Sequence, residues 1–106
     1  MAFDVCLTEP FKDDLFEAFD FLSKSLNQPH AAMQLMERVE KSKEALSEFP
    51  QMAPVSRKPH LHERGYREYF FDSYSLVYKV VNDEVLFLRL LHQSQRAEGQ
   101  MVDWEE

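Results

Sequence analysis

The run Arg64-Gly65-Tyr66-Arg67-Glu68-Tyr69, followed by Tyr74-Ser75-Leu76-Val77-Tyr78-Lys79-Val80-Val81 and then Glu84-Val85-Leu86-Phe87-Leu88-Arg89-Leu90-Leu91-His92, decides the fold of this chain. Residues 66–71, 74–81 and 84–92 are rich in aromatic and branched aliphatic side chains, as strands are. Only Asp72-Ser73 and Asn82-Asp83 separate them, and two-residue connections of this kind are hairpin turns. Three such runs in succession predict an antiparallel meander of three strands.

Immediately before the meander, residues 51–65 have no apolar period and hold Pro54 and Pro59 among Arg57, Lys58, His60, His62 and Arg64. The segment reads as a basic surface loop. Further upstream, Phe3, Val5 and Leu7 alternate with Asp4, Cys6 and Thr8, the period-2 pattern of a half-buried strand. Thr8 or Glu9 then caps a helix with Pro10 in its first turn, and Phe11, Leu15, Ala18, Phe19, Leu22 and Leu26 recur at helical spacing. This predicts a helix over residues 10–26. Asn27-Gln28-Pro29 breaks it and starts a second, whose stripe of Ala32, Leu35, Met36, Val39, Leu46 and Phe49 runs to Pro50.

The order is therefore β-α-α-β-β-β, an α+β two-layer fold in which an antiparallel sheet packs against a helical hairpin. Whether the first strand joins at an edge or between the others is not fixed by the pattern. Leu15, Phe19, Leu35, Val39, Leu76, Tyr78 and Leu88 are the expected core. Residues 1–96 form one domain, and residues 97–106 an acidic C-terminal tail that frays or docks through Trp104.

Composition narrows the class. The 106 residues are 44% hydrophobic and include nine Phe, enough apolar surface to offset the entropy of ordering. A single Cys6 excludes an internal disulfide, and there is neither a signal-peptide pattern nor a long apolar run, so a soluble cytoplasmic protein without a membrane partner is expected. The net charge of −7 is uneven. Residues 1–49 carry 5 basic and 10 acidic side chains, residues 50–96 carry 7 and 5, and residues 97–106 carry none and 4. Only the sheet segment is cationic, which argues against a general nucleic-acid binder. With two glycines, the chain has no glycine-rich phosphate loop, and no cofactor is expected. His60 and His62, two apart in an extended segment, point the same way, but no third ligand is near and no metal site is expected. Cys6 lacks a basic neighbour that would make it a nucleophile. Phe16 and Phe21 lie off the apolar stripe, where they either cover a wide sheet or mark a partner surface.

In this order, Asp14-Leu15, Asn27-Gln28-Pro29-His30-Ala31-Ala32, Leu46 with Phe49-Pro50, Gly65-Tyr66-Arg67, Leu76-Val77-Tyr78 and Leu90-Leu91-His92 resemble the RelE/ParE toxins of bacterial type II toxin-antitoxin modules, also known as plasmid stabilisation proteins. The resemblance spans positions 3–92. It implies a growth-inhibiting toxin whose partner is a cognate antitoxin that wraps it with a helix and an extended segment. The target it implies is DNA gyrase, or the ribosome with messenger RNA, and a homodimer is among the assemblies it allows. Members that cleave messenger RNA place a basic residue in the middle strands, where this chain has Ser75, and often follow the final histidine with a basic pair, where this chain has Gln93-Ser94-Gln95 before Arg96. These departures favour the branch resembling ParE, which inhibits gyrase by binding.

Two sets of site residues follow. For a nuclease, Arg67, His92 and Tyr78 are the catalytic candidates: cleavage through the 2′-hydroxyl needs a base (Glu68 or His92), an acid (His92 or Tyr78) and cations on the phosphate (Arg64, Arg67, Arg89). For a binder, Arg57, Lys58, Arg64, Arg67 and Arg89 are the residues expected to meet the target or the antitoxin. A third reading is a family member that has lost toxicity and persists as an interaction partner.

Overall fold

A computed structural model describes residues 2–92. The chain forms β1 (Asp4–Leu7), α1 (Glu9–Asp20) running on into a π-helical turn (Phe21–Ser25), α2 (Pro29–Glu48), a short α3 (Pro59–Glu63), then β2 (Arg67–Phe71), β3 (Tyr74–Val81) and β4 (Glu84–His92). The strands make one sheet in the order β1-β4-β3-β2. The meander is antiparallel as the sequence predicts. β1 takes the free edge of β4 and runs parallel to it, with Asp4 opposite Glu84 and Leu7 opposite Phe87. The long route through both helices makes this possible, since a parallel neighbour needs a crossover. The tail with Trp104 and the 96/97 boundary lie outside the described residues.

Local chemistry sets the element ends. Thr8 caps α1, its hydroxyl accepting from Phe11 N at 3.4 Å while donating to the Phe87 carbonyl at 2.8 Å, so one side chain both starts the helix and ties it to β4. Asn27 at φ 50° ends the first helix, and Asp72 and Asn82 at φ 51° and 56° open the two hairpin turns. Asn and Asp tolerate this left-handed region better than other side chains. α3 closes on Gly65 at φ 74°, with Gly65 N donating to His62 O and Tyr66 N to Leu61 O, both at 3.0 Å.

Both faces of the sheet are covered. α1 and α2 bury Phe11, Leu35, Val39 and Leu46 against Phe71, Leu76, Tyr78, Val85, Phe87 and Leu90. On the opposite face Leu61 and Tyr66 close over Val77, Leu88 and Leu91. The segment read as an irregular surface loop thus contains a helical turn whose one apolar residue, Leu61, is fully buried. A single anchor leaves no period to read. Of the expected core, Leu35, Val39, Leu76, Tyr78 and Leu88 are buried, while Leu15 and Phe19 are half-buried at the margin. Phe16 and Phe21 are 70% and 54% exposed, so they do not serve to cover the sheet.

Between Val77 and Tyr78 the ladder slips: Tyr78 faces Phe87 and Val77 faces Arg89, leaving Leu88 as an extra residue in β4. β1 ends opposite Phe87, so the last five residues of β4 have no strand on that side among the described residues.

Candidate functional site

The basic segment is held rigidly. Val55 bridges to Arg67 alongside β2, and Ser56 N donates to Tyr66 O at 2.8 Å. Beneath it, the Glu68 carboxylate is 6% exposed and accepts from Ser56 Oγ at 2.6 Å, Ser75 Oγ at 2.7 Å and Lys58 Nζ at 2.7 Å. Burial by itself raises this carboxyl, but the bonds from Lys58, Ser56 and Ser75 outweigh it and hold the group below its ordinary 4.5. Ser75 is therefore a donor to a buried carboxylate. His62 Nδ1 lies 3.0 Å from the Ser56 carbonyl, which assigns the proton of the neutral ring to that nitrogen. Because residues 59–63 are helical, His60 and His62 point apart rather than the same way. Arg57 is exposed, with no hydrogen bond or ion pair to any described residue, and borders a shallow depression with Pro59, His62 and Glu63. Arg64 is exposed as well and reaches the Tyr66 hydroxyl at 3.5 Å.

Arg67 and Tyr78 sit opposite each other on the helix-covered face. Both grip the chain that leaves α2: Arg67 donates to the Ala53 carbonyl at 2.6 Å and Tyr78 to the Pro50 carbonyl at 2.8 Å. Tyr78 is fully buried, and burial pushes its phenol above the ordinary 10.0. Arg89 is held by Asp14 of α1, with Nε and Nη2 donating to the two carboxylate oxygens at 2.6 and 3.0 Å. The same carboxylate accepts from Leu90 N at 3.0 Å, on the part of β4 that β1 does not reach. Asp14 thus closes an open sheet edge.

His92 lies at the far end of β4, opposite Tyr74, with the two rings 5.5 Å apart edge to face. Tyr78 lies four steps along β3 from Tyr74, roughly 13 Å at the strand rise. The candidate acid-base residues Tyr78 and His92 are therefore spread along the sheet, whereas proton transfer needs groups within about 3 Å of a shared substrate atom.

Around His92 there is a groove of about 600 Å³ lined by Asp14, Glu17, Ala18, Phe21, Tyr74, Leu90 and His92. Glu17 and the edge-capping function of Asp14 were not singled out in the sequence, because nothing in helical spacing marks which of several acidic residues meets a strand. Cys6, exposed on β1, lies 3.5 Å from Glu84, whose carboxylate raises the thiol above its ordinary 9.0, the opposite of an activated nucleophile. Among the described residues no group of three metal-ligating side chains occurs and no helix is long and apolar enough to cross a membrane.

The family model described as ParE toxin of type II toxin-antitoxin system, parDE, matches residues 5–97. Among solved structures, a chain of the chromosomal ParDE TA system from P. aeruginosa is similar in fold, with a TM-score of 0.70 over 86% of this chain and 96% of that one, at 18% sequence identity. No curated protein matches.

Proposed function

The chain belongs to the ParE toxin family of type II toxin-antitoxin systems, and from that premise we propose that it inhibits its target, DNA gyrase, by binding to it rather than by cutting RNA, and that a cognate antitoxin neutralises it. The observation that carries the binding mode is the dispersal of the acid-base candidates. Arg67 and Tyr78 bond backbone carbonyls of the chain leaving α2, Arg89 is held by Asp14, and His92 lies four residues further along the sheet, at the end of β4. The Glu68 carboxylate, the other candidate base, already accepts three donors.

The surface that supports target binding is the α3 segment. It presents Arg57 and Arg64 on a backbone fixed by the Glu68 bonds, so little ordering entropy is lost when they meet a partner. A cationic patch on a chain of net charge −7 favours an acidic strip on that partner. The deciding experiment is induced expression in a bacterium while labelled thymidine and labelled amino-acid incorporation are followed over the first minutes. DNA synthesis falling first is the expected outcome, and purified protein should inhibit gyrase supercoiling. Protein synthesis falling first would overturn the proposal.

A further inference from the structure

The groove at the end of β4 combines two features that point to one ligand chemistry. Its walls are apolar and aromatic: Ala18, Leu90, the half-exposed Phe21, and the perpendicular pair of Tyr74 and His92. Its charge is unbalanced. Asp14 is neutralised by Arg89, Asp20 one turn on is paired with Lys24 at 3.1 Å, but Glu17 has no ion pair to any described residue. A carboxylate with no ion pair to a described residue, in a groove also lined by aromatic rings, suits a cation on an apolar stem, which rings attract through their quadrupoles and a carboxylate through a charge-assisted bond. Arginine and lysine side chains have that form. The surrounding helix adds to the bias, since α1 carries Glu9, Asp13, Asp14, Glu17 and Asp20 against Lys12 alone.

We infer that this groove is an anchor for an arginine or lysine of the antitoxin, set in an otherwise apolar stretch, so that the antitoxin meets this acidic toxin with positive charge. The inference rests on the proposed antitoxin partner and makes no use of the gyrase reading. The α3 patch and this groove then divide the two recognitions by charge: an acidic strip of the target meets Arg57 and Arg64, and a basic residue of the antitoxin meets Glu17.

The test uses the full chain, isotope-labelled, and two short amphipathic peptides that differ only in a central arginine or glutamate. Nuclear magnetic resonance titration should show saturable shifts at the amides of Ala18, Leu90 and His92 with the arginine peptide and none with the glutamate peptide. Glu17→Lys should weaken binding at least tenfold. Phe21→Ala, at an exposed position that the fold does not need, should weaken it severalfold. Equal binding of both peptides, shifts that map to α3, or no saturable shift at millimolar arginine peptide would each overturn the inference. Groove amides that ignore the peptides but move on Arg96→Ala would assign the groove to this chain's own end and overturn it too. None of these readings depends on which synthesis stops in the cell, so failure here and failure of the gyrase reading are separable.

Discussion

Removing Asp14 should uncouple α1 from the sheet, and the size of the effect follows from what its carboxylate holds. It accepts two bonds from the Arg89 guanidinium, at 2.6 and 3.0 Å, and one from the Leu90 amide, at 3.0 Å. Asp14→Ala removes the acceptor of all three of these bonds. Breaking a fully buried ion pair costs about 3–5 kcal/mol, because the partner charge stays desolvated. Here the two side chains keep 15% and 13% exposure, so water can partly recover the guanidinium, and about 2–3 kcal/mol is the expected loss. For a domain of this size, each kcal/mol lowers the melting temperature by roughly 4–8 °C, so a fall of roughly 8–24 °C is expected. The assay is thermal and urea unfolding of Asp14→Ala, Arg89→Met and the double variant. The two single effects should fail to add, with a coupling of about 1.5 kcal/mol or more, because each removes the same bonds. A coupling under about 0.5 kcal/mol would refute the reasoning and show Asp14 and Arg89 acting as separate surface charges.

Glu68 predicts an acid limb in stability. Its folded carboxyl is held below the ordinary 4.5, so the stability it contributes is present above that value and lost as pH falls through the lower folded value. Unfolding midpoints measured downward from neutral pH should decline more shallowly for Glu68→Gln, which is also weaker at neutrality. Leu35→Ala, at a position 3% exposed, should cost about 2–5 kcal/mol in urea unfolding, and an unchanged midpoint would contradict the packing of α2 on the sheet. His92→Ala and Tyr78→Phe should retain growth inhibition in an induction assay, because binding needs no acid-base pair. Arg57→Glu combined with Arg64→Glu should abolish inhibition while leaving the melting temperature within a few degrees, as expected of exposed positions.

The sequence displayed its fold through periodicity and turn chemistry. Asp72-Ser73 and Asn82-Asp83 mark the hairpins because tight turns need residues that tolerate positive φ, and the Pro10 and Pro29 helix starts are set by proline's missing amide. What stayed hidden was what depends on few residues or on distant ones. α3 rests on one buried leucine, and β1 could be assigned to the β4 edge only once residues 80 positions apart were seen in register. The site was legible as a roster of charges but not as an arrangement. A sequence does not distinguish an arginine whose carbonyl partner lies 14 residues away, as for Arg67, from one such as Arg57 that faces solvent. Burial of the Glu68 bonds was equally invisible, because serines 56 and 75 carry no mark of the carboxylate they share.

The parallel pairing of Asp4 with Glu84 has a consequence for the order of events at birth. Pairings so distant in sequence form late, after the loop between them has been closed. On a ribosome β1 and the helical hairpin emerge before the meander against which the apolar stripe packs, and the sheet is complete only when β4 follows. The stripe of α2, which the finished sheet covers at Leu35, Val39 and Leu46, therefore stays exposed for most of the chain's synthesis.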